Sequence, residues 1–130
     1  MKQSSVERRL KKYNLLAPEI GCLETEEQTA KEMLETLMGF NITLEADVRA
    51  KVEERIRTLH EQIEELKKEK ALIESVINEL EDDIVKKIFK LKYFSLKVWP
   101  DIAAKVGYSE RQCRRIHADT IENIISEKMK

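Results

Sequence analysis

Between Ser109 and His117 the chain reads SERQCRRIH, which puts guanidinium groups at positions 111, 114 and 115. On a helix, spacings of three and four residues gather these groups on one side of the rod, beside Glu110 and Gln112. A guanidinium is a flat fork of N–H donors that suits planar acceptors such as a carboxylate, a phosphate or the O6/N7 edge of guanine. Glu110 offers the converse, an acceptor for an amino group such as cytosine N4. This is chemistry of recognition rather than of bond making.

Groups suited to bond making do not converge elsewhere. His60 and His117 are the two histidines, and neither stands near a cysteine or an acidic pair at metal-ligand spacing. Glu81, Asp82 and Asp83 are adjacent, so on a helix they fan around it. There is no glycine loop that could cradle a phosphate and no nucleophile-elbow pattern. The expectation is no enzyme, no metal and no cofactor. Cys22 and Cys113 are far apart and read as reduced thiols of a cytosolic protein.

The elements that would hold the arginines are marked by turn chemistry. Pro100 is tolerated in a first turn, so a short helix is expected from about Trp99, with Ile102, Ala103 and Val106 inward. Gly107 supplies a left-handed turn residue, and Ser109 caps a second helix with Gln112 as its box partner. That helix is expected to bury Cys113, Ile116, Thr120, Ile121, Ile124 and Ile125. Ala103 falls where the helices cross most closely, and Trp99 reads as a core plug. Such a pair is a helix-turn-helix, whose second helix enters the major groove by its N-terminal half.

From Val98 to about Glu122 the chain resembles the promoter-reading helix-turn-helix at the C-terminal end of bacterial sigma factors. The stretch VWPDIAAKVGYSERQCRRIHADTIENI carries that pattern: Trp-x-x-Ile-Ala, a small turn ending in Gly-Tyr-Ser, an arginine-rich helix and a closing apolar turn. The preceding IVKKIFKLKYF fits the supporting helix. Behind a helical N-terminal region, the module is similar to phage-encoded late-transcription regulators of the ArpU and RinA types. The match is detailed over the C-terminal third and general over the rest. Where the sigma pattern has Arg-Glu at the start of the reading helix, this chain has Glu110-Arg111, so contact roles carry over and the target sequence does not.

The resemblance implies double-stranded DNA as partner. Arg111 and Arg115 are expected on guanine, Arg114 on a base or a phosphate, and Glu110 on a cytosine amino group. Gln112 is expected to divide between capping and DNA. Lys97, Lys105 and the backbone near Trp99 and Ser109 would hold phosphates, and His117 is expected to add a phosphate contact or be solvated. Contact with RNA polymerase and a place in the bacterial host cytoplasm belong to the same expectation.

The rest of the chain is charged and poor in aromatics, at 38% and 5%, with three glycines and two prolines. Almost nothing alternates with period two, so the class is all-α. Helices are expected over about 4–17, 25–38 and 44–83. Ser4 with Glu7, and Thr25 with Gln28, read as capping boxes, Pro18 and Gly39 as stops, and Thr43 as a cap. The Asn41-Ile42-Thr43 sequon carries no meaning without a secretory signal. No apolar run is long enough to span a membrane.

Over 44–84 the apolar residues follow heptads: Ile56, Ile63, Ile77 and Ile84 at a, with Lys70 interrupting, and Leu59, Leu66, Ile73 and Leu80 at d. That stripe suits a homodimer or higher oligomer. Leu72, Val76 and Val85 add a second edge, which suits packing within the chain instead. The division expected is a helical oligomerisation region, 1–83, and a DNA-binding domain, 84–130. Residues 84–130 hold eleven Lys/Arg against five Asp/Glu, a net +6 in a chain of net −1. Local cations are what phosphate contact needs. A packaging subunit of small-terminase type and a coiled-coil adaptor that meets only protein are the alternatives.

Overall fold

Every element the structure contains among its described residues is helical, as the composition requires. The structure is a computed structural model and describes residues 5–39 and 45–130. The expected caps Ser4 and Thr43, and the sequon at 41–43, lie outside them. No helix among the described residues is long and apolar enough to cross a membrane.

Helix α1 (Ser5–Lys11) is separated from α2 (Tyr13–Gly39) by a single turn residue, Lys12. Pro18 was expected to close the first helix, yet it lies inside α2. Its fixed φ is helical and its ring removes one backbone bond, a loss that a long helix survives. The break falls upstream, between residues tied down by other contacts: Arg9 Nη1 donates to Met129 O (2.7 Å), and Asn14 Nδ2 donates to Tyr93 O. Thr25 therefore caps nothing. Its hydroxyl donates back to Gly21 O (3.0 Å), and the Gln28 amide reaches Glu32 instead (3.0 Å). Gly39 is the last residue of α2 rather than a left-handed cap; among the described glycines only Gly107 has positive φ.

Helix α3 (Ala46–Asn78) stops short of the expected residue 83. Asp82 then caps α4 (Asp83–Phe89), its Oδ1 accepting from Ile84 N (2.9 Å) and Val85 N (3.1 Å). The Asp82 carboxylate serves two orphan N–H groups at the positive end of α4, which accounts for the break in the Glu81-Asp82-Asp83 run.

Two compact units result. One is Leu16–Glu69; the other joins the N-terminal residues through Leu15 to Lys70–Lys130. In the first, α2 and α3 run antiparallel, with Glu24 to Lys67 (3.4 Å), Glu26 to Arg55 (2.7 Å) and Glu27 to His60 (3.2 Å). Exposed pairs of this kind contribute at most about 1 kcal/mol each, so they set register more than stability.

Five of the eight apolar residues of the heptad stripe are buried. Leu59, Ile63, Ile73, Ile77 and Leu80 are 0–3% exposed within a single chain. Ile56 and Leu66 of the same stripe are half-buried, and Ile84 is exposed. Lys70, the polar a residue, pairs with Glu74 (2.6 Å), whose carboxylate also accepts from the Tyr13 hydroxyl (3.0 Å). That pairing holds the Glu74 carboxyl below its ordinary range.

In the second unit, α4 runs into a π turn (Lys90–Phe94), and Ser95 to Val98 lead to α5 (Trp99–Val106). Gly107 follows in the left-handed region (φ 80°), its N–H donating to Ala103 O (2.9 Å). Helix α6 (Glu110–Thr120) passes through a second π turn (Ile121–Ile125) into a last turn (Ser126–Lys128). That π turn adds a residue to the repeat and shifts the phase. Ile121, Ile125 and Met129 point inward, while Ile124, expected inside, is 41% exposed.

Two stability measurements check this fold. Ile77→Ala should cost about 2–5 kcal/mol, and its unfolding midpoint should not depend on protein concentration, as it would if the stripe were a dimer seam. Gly107→Ala should cost about 1–2 kcal/mol from backbone strain alone, because a Cβ there meets nothing within 4 Å.

Candidate nucleic-acid interface

Helices α5 and α6 meet over Ile88, Ile102 and Cys113, with Leu91, Trp99, Ala103, Val106, Tyr108 and Ile116 packed around them. Three of the turn residues act as their types demand. Val98 is extended, so Pro100 enters in the first turn of α5; Gly107 takes the left-handed step; and Ser109 Oγ accepts from Gln112 N (3.1 Å). The Cys113 thiol is pushed up by burial, and then by Glu110. It is a core side chain, while Cys22 is exposed.

This packing divides α6 lengthwise. Cys113, His117 and Thr120 face the core, and Glu110, Arg111, Gln112, Arg114 and Arg115 are exposed. Arg114 reaches Glu110 (3.8 Å) and lies 5.7 Å from the centre of the Trp99 ring. Among the described residues neither Arg111 nor Arg115 has an ion-pair partner. Lys97 and Lys105 are exposed, and the Lys105 carbonyl accepts from Lys87 Nζ (3.4 Å). The structure thus brings Glu110 to Arg115, apart from Cys113, onto one outward surface. Lys97 and Lys105 stand on the segments before and within α5.

His117 is different. Neither solvated nor free for a phosphate, it is 5% exposed, with Nε2 2.5 Å from the Tyr93 hydroxyl. Phe89 and Tyr93 stack on its ring at 5.0 and 5.7 Å, and Trp99 meets it edge-on at 5.2 Å. The reason is helical phase: His117 is four residues beyond Cys113, on the buried stripe. Burial first, then the ammonium groups of Lys92 and Lys11, hold it neutral, down to about 4. The Tyr93 hydroxyl is correspondingly pushed far up by burial.

Lys92, one of the eleven Lys/Arg of residues 84–130, has a distinct place in the structure. Its ammonium lies 4.7 Å from the Trp99 ring centre, and burial, then Lys11, push it below its ordinary range. No motif marks it. A lysine on a supporting helix reads as a solvated charge until the fold sets an indole beside it.

The family described as "Protein of unknown function (DUF722)" matches residues 8–126. The chain belongs to that family. The family match covers all of the unit Leu16–Glu69 and most of the other, including the whole of α5 and α6. No curated protein and no solved structure matches the chain.

The buried histidine generates a pH dependence. In the unfolded chain it takes up a proton near 6.5, which the folded protein resists until about 4. Its stabilisation is therefore complete above pH 6.5 and is lost as pH falls through that window, by on the order of 3 kcal/mol. Urea unfolding at pH 7 and pH 4.5 should show that loss, and His117→Gln should show much less of it.

Proposed function

We propose that this protein is a sequence-specific DNA-binding regulator of transcription, of phage or prophage origin, that reads the major groove with α6. One observation carries the reading: the N-terminal half of α6 exposes Arg111, Gln112, Arg114 and Arg115 together, on a helix whose other face is locked into a core. Helix-turn-helix proteins present a reading helix in this way. Arg111 and Arg115, one helical turn apart and without ion-pair partners among the described residues, are the base-reading pair. Glu110 and Gln112 add selectivity beside them, and Lys97, Lys105 and the amides near Ser109 position the backbone.

Charge supports the same reading. Residues 1–15 and 70–130 hold seventeen Lys/Arg against eleven Asp/Glu, a net +6, whereas residues 16–69 hold seven against fourteen, a net −7. Nonspecific affinity for DNA depends on the cations near the phosphates, not on the charge of the whole chain. The likeness of the C-terminal third to sigma-type promoter readers and to ArpU- and RinA-type phage regulators supports a role in transcription, in the cytoplasm of a bacterial host. It gives no target sequence, because Glu110-Arg111 reverses the sigma order.

The test is selection of bound sites from random duplex DNA, then competition with the selected site. Replacing both arginines, Arg111→Ala with Arg115→Ala, should weaken binding to that site at least about thirtyfold, since each bidentate pair contributes about 1–3 kcal/mol. Binding to unrelated duplex should fall far less. Unchanged retention of the selected site by the double variant would sink the proposal.

A further inference from the structure

Three cations crowd one edge of α6. Lys92 Nζ and the Arg114 guanidinium lie 4.7 and 5.7 Å from the same Trp99 ring centre. Burial first, then the charges of Lys11 on α1 and of Arg114, disfavour the charged form of Lys92, while Glu7 favours it. Two carboxylates stand among these cations, each at the limit of an ion pair: Glu7 4.0 Å from Lys11, and Glu110 3.8 Å from Arg114. Three positive charges face two negative ones, and among the described residues Lys92 has no carboxylate at ion-pair distance. Positive charge is in excess there, which suits a phosphodiester.

Helix α1 is fastened beside α6 rather than trailing from the chain. Arg9 Nη1 donates to Met129 O (2.7 Å), and Leu10 is fully buried. Glu7 lines a groove of about 350 Å³ with His117, Ala118, Ile121, Glu122 and Ser126. Ala118 and Glu122 continue the exposed face on which Arg111 and Arg115 stand, so α1 borders the surface that bears the arginines. Arg8 and Lys11 are exposed along α1, and Lys12 just after it.

We propose that Lys92 and Arg114, over the Trp99 ring, and Lys11, on the neighbouring helix α1, form a phosphate-binding strip that carries the duplex backbone off α6 and onto the N-terminal helix. The strip rests on the DNA-binding reading and extends it to α1, a helix the sequence assigned to assembly. Arg114 then belongs to the backbone rather than to a base. Phosphate contacts fix orientation and carry no sequence information, so the strip serves affinity and register while Arg111 and Arg115 serve selectivity.

The experiment measures the salt dependence of binding to two duplexes, one of mixed sequence and one carrying a selected site. Wild type is compared with Lys11→Gln, Lys92→Gln, the double variant and Lys92→Arg. Each lost phosphate contact should lower the slope of log K against log salt by about 0.9, or roughly eightfold in affinity at 0.1 M salt. The loss should be equal on both duplexes, leaving their ratio unchanged, and Lys92→Arg should keep the wild-type slope. Lys11 is exposed, so Lys11→Gln reads the strip even if Lys92→Gln fails to fold. A wild-type protein that binds both duplexes with a slope the two glutamines leave unaltered would overturn the strip and leave the DNA reading standing. A wild-type protein that binds neither duplex would overturn both.

Discussion

A neutral, buried and hydrogen-bonded His117 is the condition for α6 to lie where it does. Its ring is sandwiched among Phe89, Tyr93 and Trp99, and its Nε2 meets the Tyr93 hydroxyl at 2.5 Å. A polar group of this size left unpaired in the core would cost about 1–3 kcal/mol, so the two residues need each other. Tyr93 is held in turn: it lies on the π turn Lys90–Phe94, and Asn14 donates to its carbonyl. The first turn of α2, the π turn after α4 and α6 are thereby tied through one phenol–imidazole pair. The outward face of α6 follows from what this pair and Cys113 hold inward.

Two π turns sharpen that geometry. The one after α4 lets Tyr93 turn inward, and the Ser95 and Lys97 amides close it onto the Lys90 and Leu91 carbonyls (3.0 and 2.9 Å). Leu96 sits between them with φ 54°, a conformation that costs a leucine about 1–2 kcal/mol. The turn after α6 moves Ile121, Ile125 and Met129 into line with the core, where Arg9 and Leu10 of α1 meet them. Each turn widens the helix by one residue, and each stands where a side chain had to be re-aimed.

Charge is segregated along the same divisions. Acid is concentrated in residues 16–69 and base in the unit that holds α6, so a chain of net −1 presents surfaces of opposite sign. Most pairs within 16–69 are exposed and contribute little to stability. In the other unit the cations near Trp99 are only partly compensated, and that deficit is what an anionic partner would meet.

Local chemistry was legible wherever one residue decides one backbone group. Period and composition determined the all-α class; Gly107, Ser109 and Pro100 determined the ends of α5 and α6; and the spacing of 111, 114 and 115 determined which arginines share a face. Pro18, Thr25 and Gly39 misled because their local preference is worth only about 1–3 kcal/mol, which packing along a long helix can outweigh. Three matters were left to the tertiary structure: that much of the heptad stripe is covered within one chain, that His117 is core rather than contact, and that α1 belongs beside α6. All three depend on which surfaces distant segments bury against one another. A side chain's period along its own helix says only that it must be buried somewhere.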